Sequence, residues 1–525
     1  MTDNIFLGFD FSTQQVKVIG LNENLKVVID ENIKFDTDLP EFGTSGGVNI
    51  HNDKVGVTAP TAMWVKALDL LLEKMKSAGF DFSKVVALSG DGQQHGSVYW
   101  KSGAREVLKN LQADSSMYEQ LKDSFSVNDS PIWMDATTSS QIQTLEKAVG
   151  GPMELARLTG SRGYERFTGL QIMKLYQTNK AAYDDTERIS LVSSFAASLF
   201  FGDYAPIDYS DGSGMNLLDI RTKNWSPACL ETCGTSLADK LGVPVPSNTV
   251  LGNVSSYLCN KYGFSGDCKV ITFTGDNPSS LAGLAPRQGD VIASLGSSDT
   301  VFLWLPEATP GMDGHIFVNP LDQNTYMGLV CFKNGSLTRE RIMQQCAEGS
   351  WDRFNDLLQQ TSPGNDGNIG IYFDAREIQP VVMGKFRFDK DDQQFDNFSP
   401  AVEVRAVLES QFLARLMYAQ ACGMKIGPES RVIATGGASA NKAILQVISD
   451  IFNADVHVID VPNSACLGGC YRAIYALKPE GTDFEEVVRN LPKPERVCKP
   501  TAGNRSVYPA MLERYRLLEG KISTL

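Results

Sequence analysis

The segment Phe273-Thr274-Gly275-Asp276-Asn277-Pro278 places one carboxylate in a tight turn between two elements. The run from Lys269 to Phe273 is β-branched and aromatic and predicts a strand, while Pro278 suits the first turn of a following helix. Open α/β proteins bind their ligands where strands end and helices begin, so Asp276 is a candidate general base. A lone Asp in this position is more simply explained as a helix cap. Other segments therefore have to decide between the two interpretations.

The composition is that of an ordinary globular protein large enough for two domains. The chain has 525 residues, of which 42% are hydrophobic and 21% are charged. The net charge is −14 and no cluster of Lys and Arg is present, which argues against nucleic acid or an anionic membrane as a partner. A phosphorylated ligand stays open, because backbone amides and one or two cations can hold phosphate.

The segments most relevant to cellular location predict a cytoplasmic protein. Met1 to Asp10 has no basic region before an apolar one, so we expect no signal peptide. Ile189 to Phe201 is the most apolar segment, but it is short and rich in Ser, so we expect no membrane contact. The ten Cys are scattered without neighbouring His, which predicts reduced thiols rather than a zinc site.

Two segments far apart in the chain share one pattern, in which apolar runs flank a polar bend. The first is Ile5 to Leu21, with Asp10, Ser12 and Thr13 at its bend, and the second is Asp290 to Leu305. Amides and hydroxyls at such bends can hold phosphate, and an acid such as Asp10 can face a divalent metal through water. The alternative is a pair of ordinary exposed hairpins. Two copies predict a duplicated fold with a nucleotide between its halves.

Two further segments carry polar groups suited to ligands. Gly90 to Trp100 contains Gln94 and His95, which can both donate to and accept from sugar hydroxyls; a structural Gly-rich turn is an equal alternative. Arg431 to Lys442 reads as a strand, a double glycine and a helix start, which permits close approach of a nucleotide. It contains neither a dinucleotide fingerprint nor a P-loop.

Taken in order, these segments resemble the motifs of the FGGY family of carbohydrate kinases. Gly8 to Thr13 is similar to the first phosphate motif, Leu295 to Thr300 to the second, Gly275 to Asn277 to the catalytic-base motif, and Thr435 to Ala438 to the adenosine motif. The resemblance covers nearly the whole chain. It implies an α/β protein of two ribonuclease-H-like domains, of the actin and hexokinase type, with a central cleft.

The same resemblance implies how the chain is divided. Residues 1–270 are expected to form an N-terminal domain with the sugar site and the first phosphate motif. Residues 271–525 are expected to form a C-terminal domain with the catalytic Asp and the nucleotide site. The last helix, Val507 to Ile522, is a candidate to pack back on the first domain.

Within the family, the sugar-facing motifs are most similar to those of the animal members that use ATP and Mg²⁺ to phosphorylate the C5 hydroxyl of D-xylulose. The resemblance implies that Asp276 is the general base, and we expect an ordinary carboxylate pKa to suffice because the proton leaves late in a loose transition state. The implied contacts with the sugar are Gln94, His95, Arg166, Asp276 and Asn277. The implied contacts with the nucleotide are Ser12, Thr13, Gly296, Ser297, Ser298, Thr300, Trp351, Gly437, Ala438 and Asn441. The implied contact with the metal, through water, is Asp10.

Some positions depart from the family pattern, and some interpretations stay open. Tyr176 stands where a Trp is usual, the segment from Asp374 to Pro380 lacks the loop of bacterial members, and Asp91 adds an acid to the sugar loop. Lys17 either offsets phosphate charge or faces solvent. A kinase for another polyol or ketose and a non-catalytic sugar and nucleotide sensor are the alternative functions. We expect a monomer or homodimer.

Overall fold

The computed structural model describes residues 4–504 and 506–523, so Met1–Asp3, part of the segment on which the signal-peptide expectation rests, lie outside it. Within the described residues, two seven-stranded sheets each carry their own hydrophobic core. The predicted α/β architecture of two domains is confirmed. Among the described residues, no helix has both the length and the apolar character needed to cross a bilayer.

The first sheet contains the N-terminal hairpin and the strand that leads to Asp276. Ile5–Phe11 pairs antiparallel with Gln15–Asn22 and parallel with Val85–Gly92. The strand expected from Lys269 to Phe273 is broken, because Thr272 donates to and accepts from groups outside the ladder before pairing resumes at Thr274. The strands in spatial order are Val250–Asn253, Lys269–Ile271, Val85–Gly92, Ile5–Phe11, Gln15–Asn22 and Val27–Lys34, with Thr274–Gly275 also beside Val85–Gly92.

The second sheet repeats this arrangement around the second hairpin. Val291–Leu295 pairs antiparallel with Asp299–Leu305 and parallel with Arg431–Thr435. In both sheets a run of antiparallel strands adjoins two parallel strands and an antiparallel edge strand, so the duplication predicted from the two hairpins is present in the topology. The antiparallel run has three strands in the first sheet and four in the second, where His315–Val318 is added. The strands in spatial order are His315–Val318, Tyr326–Phe332, Asp299–Leu305, Val291–Leu295, Arg431–Thr435, Asp455–Val458 and Glu495–Cys498.

Short sheets and helices complete the two domains. The paired short strands are Asn49–Ile50, Val57–Pro60 and Asp129–Pro131; Ser97–Lys101 and Thr186–Leu191; Leu218–Asp219 and Asn224–Trp225; and Ile369–Phe373 and Gly384–Phe388. The α-helices are Phe35–Asp38, Thr61–Ser77, Ala104–Lys109, Met117–Leu121, Ser139–Ala148, Pro152–Thr159, Thr168–Thr178, Lys180–Asp184, Val192–Phe201, Tyr209–Gly212, Pro227–Cys233, Leu237–Leu241, Ser256–Tyr262, Asp276–Gly283, Ser336–Cys346, Trp351–Gln359, Pro400–Ala421, Lys442–Phe452, Ser464–Ala476, Phe484–Val488 and Tyr508–Ile522. The 3₁₀ turns are Pro40–Phe42, Phe82–Lys84, Ser213–Met215, Asn365–Gly367, Gly437–Ala440 and Ala502–Asn504.

Most helices between residues 139 and 241 share a third core, which we call the cap, and the cap rests on the second domain. The helix Val192–Phe201 is the exception and belongs to the core of the first sheet. The amide of Ile316 donates to the carbonyl oxygen of Gly160 at 2.9 Å, and the amide of Val318 donates to the hydroxyl of Ser213 at 3.1 Å. A Cβ at Gly160 would lie 1.9 Å from the Ile316 oxygen, so only Gly permits this approach.

One helix of the second half, Ser464–Ala476, packs on the first sheet, and we call it the returning helix. A Cβ at Gly8 would lie 1.9 Å from the carbonyl oxygen of Cys466, so the helix touches the strand backbone directly. The last helix, Tyr508–Ile522, which we expected to be the one that packs back, lies in the second core against Pro400–Ala421.

The chain crosses between the two sheets three times. The crossings are residues 284–290, residues 459–463 before the returning helix, and residues 489–494 after it. The division expected after residue 270 falls inside Lys269–Ile271, a strand of the first sheet. Asp276 therefore follows the first sheet directly, at the start of a helix that leads into the first crossing.

Candidate active site

Asp276 is the first residue of the helix Asp276–Gly283, which we call the base helix, and Gly275 is its N-cap. Asp276 is not the N-cap residue, although its Oδ1 accepts the first-turn amide of Asn277 at 2.8 Å; the same oxygen also accepts the backbone amide of Gln94, from another segment, at 3.3 Å. Helix capping alone therefore does not account for the contacts of Asp276. Burial, followed by the nearby charge of Asp10, raises the pKa of Asp276 to about 7. The expectation of an ordinary carboxylate pKa is corrected by this packing.

Asp10 and Asp91 lie beside Asp276 because three strands bring them there. Asp10 is opposite Asp91 in the parallel pair, and Asp91 is opposite Thr274, two residues before Asp276. Burial raises the pKa of Asp91 well above its ordinary value, and the charge of Asp10 raises it further. Burial also raises the pKa of Asp10, although a hydrogen bond with Asp91 and the charge of Lys17 oppose this. The two carboxylates disfavour each other's ionisation at this separation, which adds to the effect of burial on Asp91.

A fully buried guanidinium, that of Arg472 on the returning helix, lies behind these acids. Its Nη2 donates to the carbonyl oxygen of Thr272 at 2.7 Å and to that of Gly90 at 3.2 Å. Its charge also acts on Asp91, Asp208 and Asp211, where it opposes the rise in pKa that burial causes in Asp91 and Asp208. Arg472 thus ties together the strand ends that carry the acids and provides their buried counter-charge.

His95 is held in an uncommon backbone conformation, with φ of 70°. Its Nδ1 lies 2.9 Å from the carbonyl oxygen of Gly214, which can only accept, so Nδ1 carries the proton and Nε2 is left as an acceptor. Burial lowers the His95 pKa well below its ordinary value, and the charge of Arg166 lowers it further. The ring also stacks on Phe167, with centroids 4.6 Å apart. A neutral, fixed His95 is suited to accept a hydrogen bond from a sugar hydroxyl.

Arg166 lies among aromatic rings at the edge of the same site. Its guanidinium is 4.9 Å from the ring centroid of Tyr164 and 5.8 Å from that of Trp133. Trp133 in turn donates from Nε1 to the hydroxyl of Thr13 at 2.9 Å. The predicted sugar residue Arg166 and the predicted phosphate residue Thr13 are therefore joined through Trp133, which sequence reasoning did not single out.

Gln94 and Asn277 are joined directly to each other. Asn277 Nδ2 donates to Gln94 Oε1 at 3.0 Å, while Gln94 Nε2 is buried without a partner among the described residues. Oδ1 of Asp211 is likewise buried without a hydrogen-bond partner among the described residues. The other oxygen of this carboxyl group, Oδ2, accepts the hydroxyl of Ser193 at 2.5 Å. Buried polar atoms without partners are costly unless a ligand satisfies them. The structure therefore brings all five predicted sugar residues to one place, together with Asp211.

The two hairpins differ at their acids. Asp299, at the second bend, is buried in ion pairs with Arg339 at 2.8 Å and Arg415 at 2.9 Å. Asp10, at the first bend, has a buried Oδ1 without a protein partner. Only the first hairpin thus offers a carboxylate to a ligand, and the acid of the second anchors the bend to the helices beneath it.

Ser297 and Ser298 are exposed at the second bend, whereas Thr300 lies further along the strand beside Cys331. Burial raises the pKa of Cys331, and the charges of Arg166 and Asp276 act on it as well. Cys331, from the second domain, therefore faces the acids and the sugar residues of the first across the central cleft.

A cavity of about 790 Å³ in the second domain collects most of the predicted nucleotide residues. Asn441 caps the following helix through Oδ1, and its Nδ2 donates to Asn355 at 3.1 Å. The predicted residues that line the cavity are Gly296, Ser297, Trp351, Gly437, Ala438 and Asn441. Ser298 and Thr300 do not line it, and Ser12 and Thr13 belong to the first domain. Asn355 and Ser336 line the cavity without having been predicted.

The candidate ligands for a metal ion in the active site are the carboxylates of Asp10 and Asp91. Among residues 4–504 and 506–523, no group of three or more His, Cys, Asp or Glu side chains is arranged to hold a metal ion. Oδ1 of Asp10 and both oxygens of Asp91 are nevertheless buried and accept no hydrogen bond within the described chain. Such oxygens fit a divalent cation that arrives with nucleotide phosphates and keeps most of its water.

The unpredicted residues of the site had weak signals in the sequence. Arg472 lies in a segment whose pattern predicts a Gly-bearing helix from Ala465 to Ala476, and nothing local indicates which sheet it meets. Asp211 stands in a polar, turn-rich segment from Asp208 to Met215, which is typical of a simple turn. Trp133 lies in the segment from Pro131 to Asp135, whose pattern predicts a short strand ending in a carboxylate, and its contact with Thr13 spans 120 residues.

Comparisons with known proteins agree across the whole chain. The model of the FGGY family of carbohydrate kinases, N-terminal domain, matches residues 122–283, and that of the C-terminal domain matches residues 291–477. A xylulose kinase of Rattus norvegicus is 55% identical over 517 residues, covering 98% of this chain and 96% of that protein. Xylulose kinase 2 of Arabidopsis thaliana is 49% identical, covering 90% and 87%.

A solved structure shows the same fold at low sequence identity. The xylulose kinase from Rhodospirillum rubrum superposes with a TM-score of 0.80 at 13% identity, covering 99% of each chain. The two domains and the cleft between them are therefore shared well beyond recognisable sequence similarity.

Proposed function

Because the chain belongs to the FGGY family of carbohydrate kinases, we propose that it transfers the γ-phosphoryl group of ATP to the C5 hydroxyl of D-xylulose. The products are D-xylulose 5-phosphate and ADP, as in the xylulokinase reaction. The chain is a carbohydrate kinase, and its similarity to xylulose kinases over 90% or more of its length supports D-xylulose as the acceptor.

The observation that carries the mechanism is the setting of Asp276. Two backbone amides fix its carboxylate beside Gln94 and Asn277, and burial raises its pKa to about 7. A base with a pKa near the working pH combines an adequate ionised fraction with a useful driving force for proton transfer. We assign Asp276 to accept the C5 hydroxyl proton as the phosphoryl group transfers.

The sugar-facing residues position the acceptor. His95 Nε2 accepts from one hydroxyl, and the guanidinium of Arg166 donates to others from its place between two rings. Gln94 Nε2 and Asp211 Oδ1 add a donor and an acceptor that are buried without partners in the described chain. Together these groups hold the sugar so that its C5 hydroxyl meets Asp276 and not solvent.

The phosphate groups of ATP are assigned to the two hairpins. Ser12 and Thr13 approach from the first domain, while Gly296, Ser297 and Ser298 approach from the second, and Thr300 supports the second bend. Trp351, Gly437, Ala438 and Asn441 line the cavity that fits the adenosine. Asp10 would hold Mg²⁺ through water, and the ion would supply charge neutralisation on the phosphate oxygens. Closing the cleft brings the two hairpins together and excludes water as a competing acceptor.

The cellular setting follows from the cysteines. All ten are free, including seven that are buried. Free thiols in this number favour a reducing compartment. We therefore place the reaction in the cytoplasm.

The test is ADP release with a panel of ketopentoses, gluconate and glycerol, each at equal concentration with Mg·ATP and a control without sugar. We expect turnover with D-xylulose well above every other acceptor. Selective turnover with another sugar would contradict the acceptor assignment and keep the mechanism. Absence of sugar-dependent turnover, with sugar and nucleotide still bound in calorimetry, would contradict the assignment as an active kinase.

A further inference from the structure

A second cavity, of about 430 Å³, lies where the chain passes between the two domains. Its walls include residues from all three crossings: Leu284 from the first, Val461 from the second and Leu491 from the third. Every segment that must bend when the domains rotate therefore borders this one space, which we call the hinge cavity. Prolines stiffen each crossing, because Pro286, Pro462 and the pair at 492 and 494 have restricted φ.

The lining of the hinge cavity combines apolar walls with cations that lack partners. Ile19, Leu467 and Tyr471 contribute apolar surface in addition to the crossings. Arg489 and Lys493 make no ion pair or side-chain hydrogen bond with any residue in the described ranges.

The remaining charged groups at the hinge cavity are partly satisfied. Arg287 faces Glu485 at 3.6 Å, and Arg431 is paired with Asp290. Two acids, Asp30 and Asp460, also line the space. The unpaired cations Arg489 and Lys493 favour a ligand with an apolar body and one anionic group, and the acids exclude a polyanion.

The hinge cavity is connected to the catalytic acids through the base helix. Gly283, the last residue of that helix, lines the cavity, and Asp276 is its first residue, about 10 Å away along an eight-residue helix. The helix cannot shift alone, because a Cβ at Gly283 would lie 1.8 Å from the carbonyl oxygen of Ser464 in the returning helix. A displacement at the hinge is therefore passed to Asp276 by two helices in backbone contact.

A second connection runs through Lys17. Its ammonium donates to Oδ1 of Asn463, which lines the hinge cavity, and Lys17 is the direct cross-strand partner of Asp10. The charge of Lys17 also lowers the pKa of Asp10 against the effect of burial. A ligand that moves Asn463 thus changes the surroundings of Asp10 as well as those of Asp276.

We propose that the hinge cavity is a regulatory site for an amphipathic organic anion, whose binding changes the affinity of the cleft for the sugar acceptor. The anionic group pairs with Arg489 and Lys493, and the apolar body fills the space between the three crossings. Because the site borders every hinge segment, its occupant binds the open and closed domain arrangements with different affinity. The kinetic consequence rests on the proposed function, whereas the binding itself does not.

The binding test uses 8-anilinonaphthalene-1-sulfonate, an aromatic body with one sulfonate, as a fluorescent probe. The protein is titrated with saturating Mg·ADP present, so that the nucleotide cavity is filled. We expect one probe site, weakened about tenfold by Leu491→Trp, which fills the hinge cavity, and by Arg489→Glu, which reverses a cation. Lys425→Glu, a reversal at an exposed residue outside the cavity, is the matched control and leaves the affinity unchanged.

The coupling test compares the probe's Kd with and without a saturating sugar acceptor. We expect a change of about fivefold or more, and the probe changes the apparent KM for that acceptor by the same factor when acceptor binding is at equilibrium. The acceptor used here is the sugar that the substrate panel identifies. If D-xylulose is not phosphorylated in that panel, the proposed function is contradicted, but the coupling test can still be made with the sugar that is.

Either of two results would overturn the inference. One is equal probe affinity in the native protein, Leu491→Trp and Arg489→Glu, with thermal midpoints showing that all three are folded. The other is a probe Kd that bound acceptor does not change. Leu491→Trp could lose probe binding by disturbing the local fold. Arg489→Glu tests the site without that risk, because it alters only an exposed side chain.

Discussion

Asp10, Asp91 and Asp276 meet where three neighbouring strands of the first sheet end. Asp10 and Asp91 are 81 positions apart, yet they are direct partners in a parallel pair. Sequence patterns identified Asp276 and Asp10 because each stands in a recognisable turn. They did not identify the contact between Asp10 and Asp91, because it depends on the register of two strands that lie far apart in the sequence.

The raised pKa of Asp276 predicts how turnover depends on pH. The base acts when it is ionised. We therefore expect kcat/KM to reach its maximum at pH values above about 7 and to fall as the pH drops through that value. The measurement is the pH profile of kcat/KM for D-xylulose at fixed free Mg²⁺, with substrates that do not titrate in the range. A profile that stays level down to pH 5 would mean that Asp276 keeps an ordinary carboxylate pKa.

Replacing Arg472 should destabilise the protein strongly. Arg472→Met removes the buried counter-charge of Asp91, Asp208 and Asp211, a type of loss that costs roughly 3–5 kcal/mol. Urea unfolding at pH 7 measures the change in the free energy of unfolding. The matched control is Arg353→Met, which breaks an exposed pair with Glu348 and should cost at most about 1 kcal/mol. Equal effects of the two substitutions would contradict the role given to Arg472.

At the scale of elements, the hairpins and the strand before Asp276 follow from local patterns. Alternation and turn residues place Ile5–Phe11 and Val291–Leu295 within a residue or two. The returning helix shows the limit of this reasoning: its amphipathic pattern predicts a helix, but only the glycines at its interface determine that it packs on the first sheet. The positions of the glycines can be identified in the sequence. The surface on which the glycine-bearing face of the helix packs cannot.

The contact between the returning helix and the first strand should tolerate no added side chain. A Cβ at Gly8 would lie 1.9 Å from the Cys466 carbonyl oxygen, so Gly8→Ala must separate helix and strand. Such overpacking costs roughly 1–3 kcal/mol or more. Thermal and urea unfolding measure the loss, and Gly266→Ala, at a site with nothing within 4 Å, is the control. Similar stability of the two variants would show that the helix is free to move away from the strand.

At the scale of the whole molecule, the duplicated sheets create the cleft and the crossings create the hinge. Two copies of a phosphate hairpin predict two domains from the sequence. The three crossings were not predictable, because they depend on a helix of the second half returning to the first domain.

Ligands that span the cleft should make the molecule more compact. D-xylulose with a non-hydrolysable ATP analogue and Mg²⁺ is expected to lower the radius of gyration in small-angle X-ray scattering, because both hairpins contact the phosphates only when the domains approach. The matched sample contains the analogue and Mg²⁺ with glycerol instead of the sugar. An unchanged radius with saturating ligands would contradict closure as part of the reaction.

Single-turnover kinetics of Asp276→Asn test most directly whether Asp276 is the general base for phosphorylation of D-xylulose. The amount of D-xylulose 5-phosphate is followed after mixing enzyme in excess with Mg·ATP and sugar, and sugar binding is measured separately by calorimetry. We predict a rate roughly 10²- to 10⁴-fold below that of the native protein, with D-xylulose still bound. The control Asp267→Asn, at an exposed position of the same domain, keeps the native rate. A rate for Asp276→Asn equal to that of the control would contradict the assignment of the base.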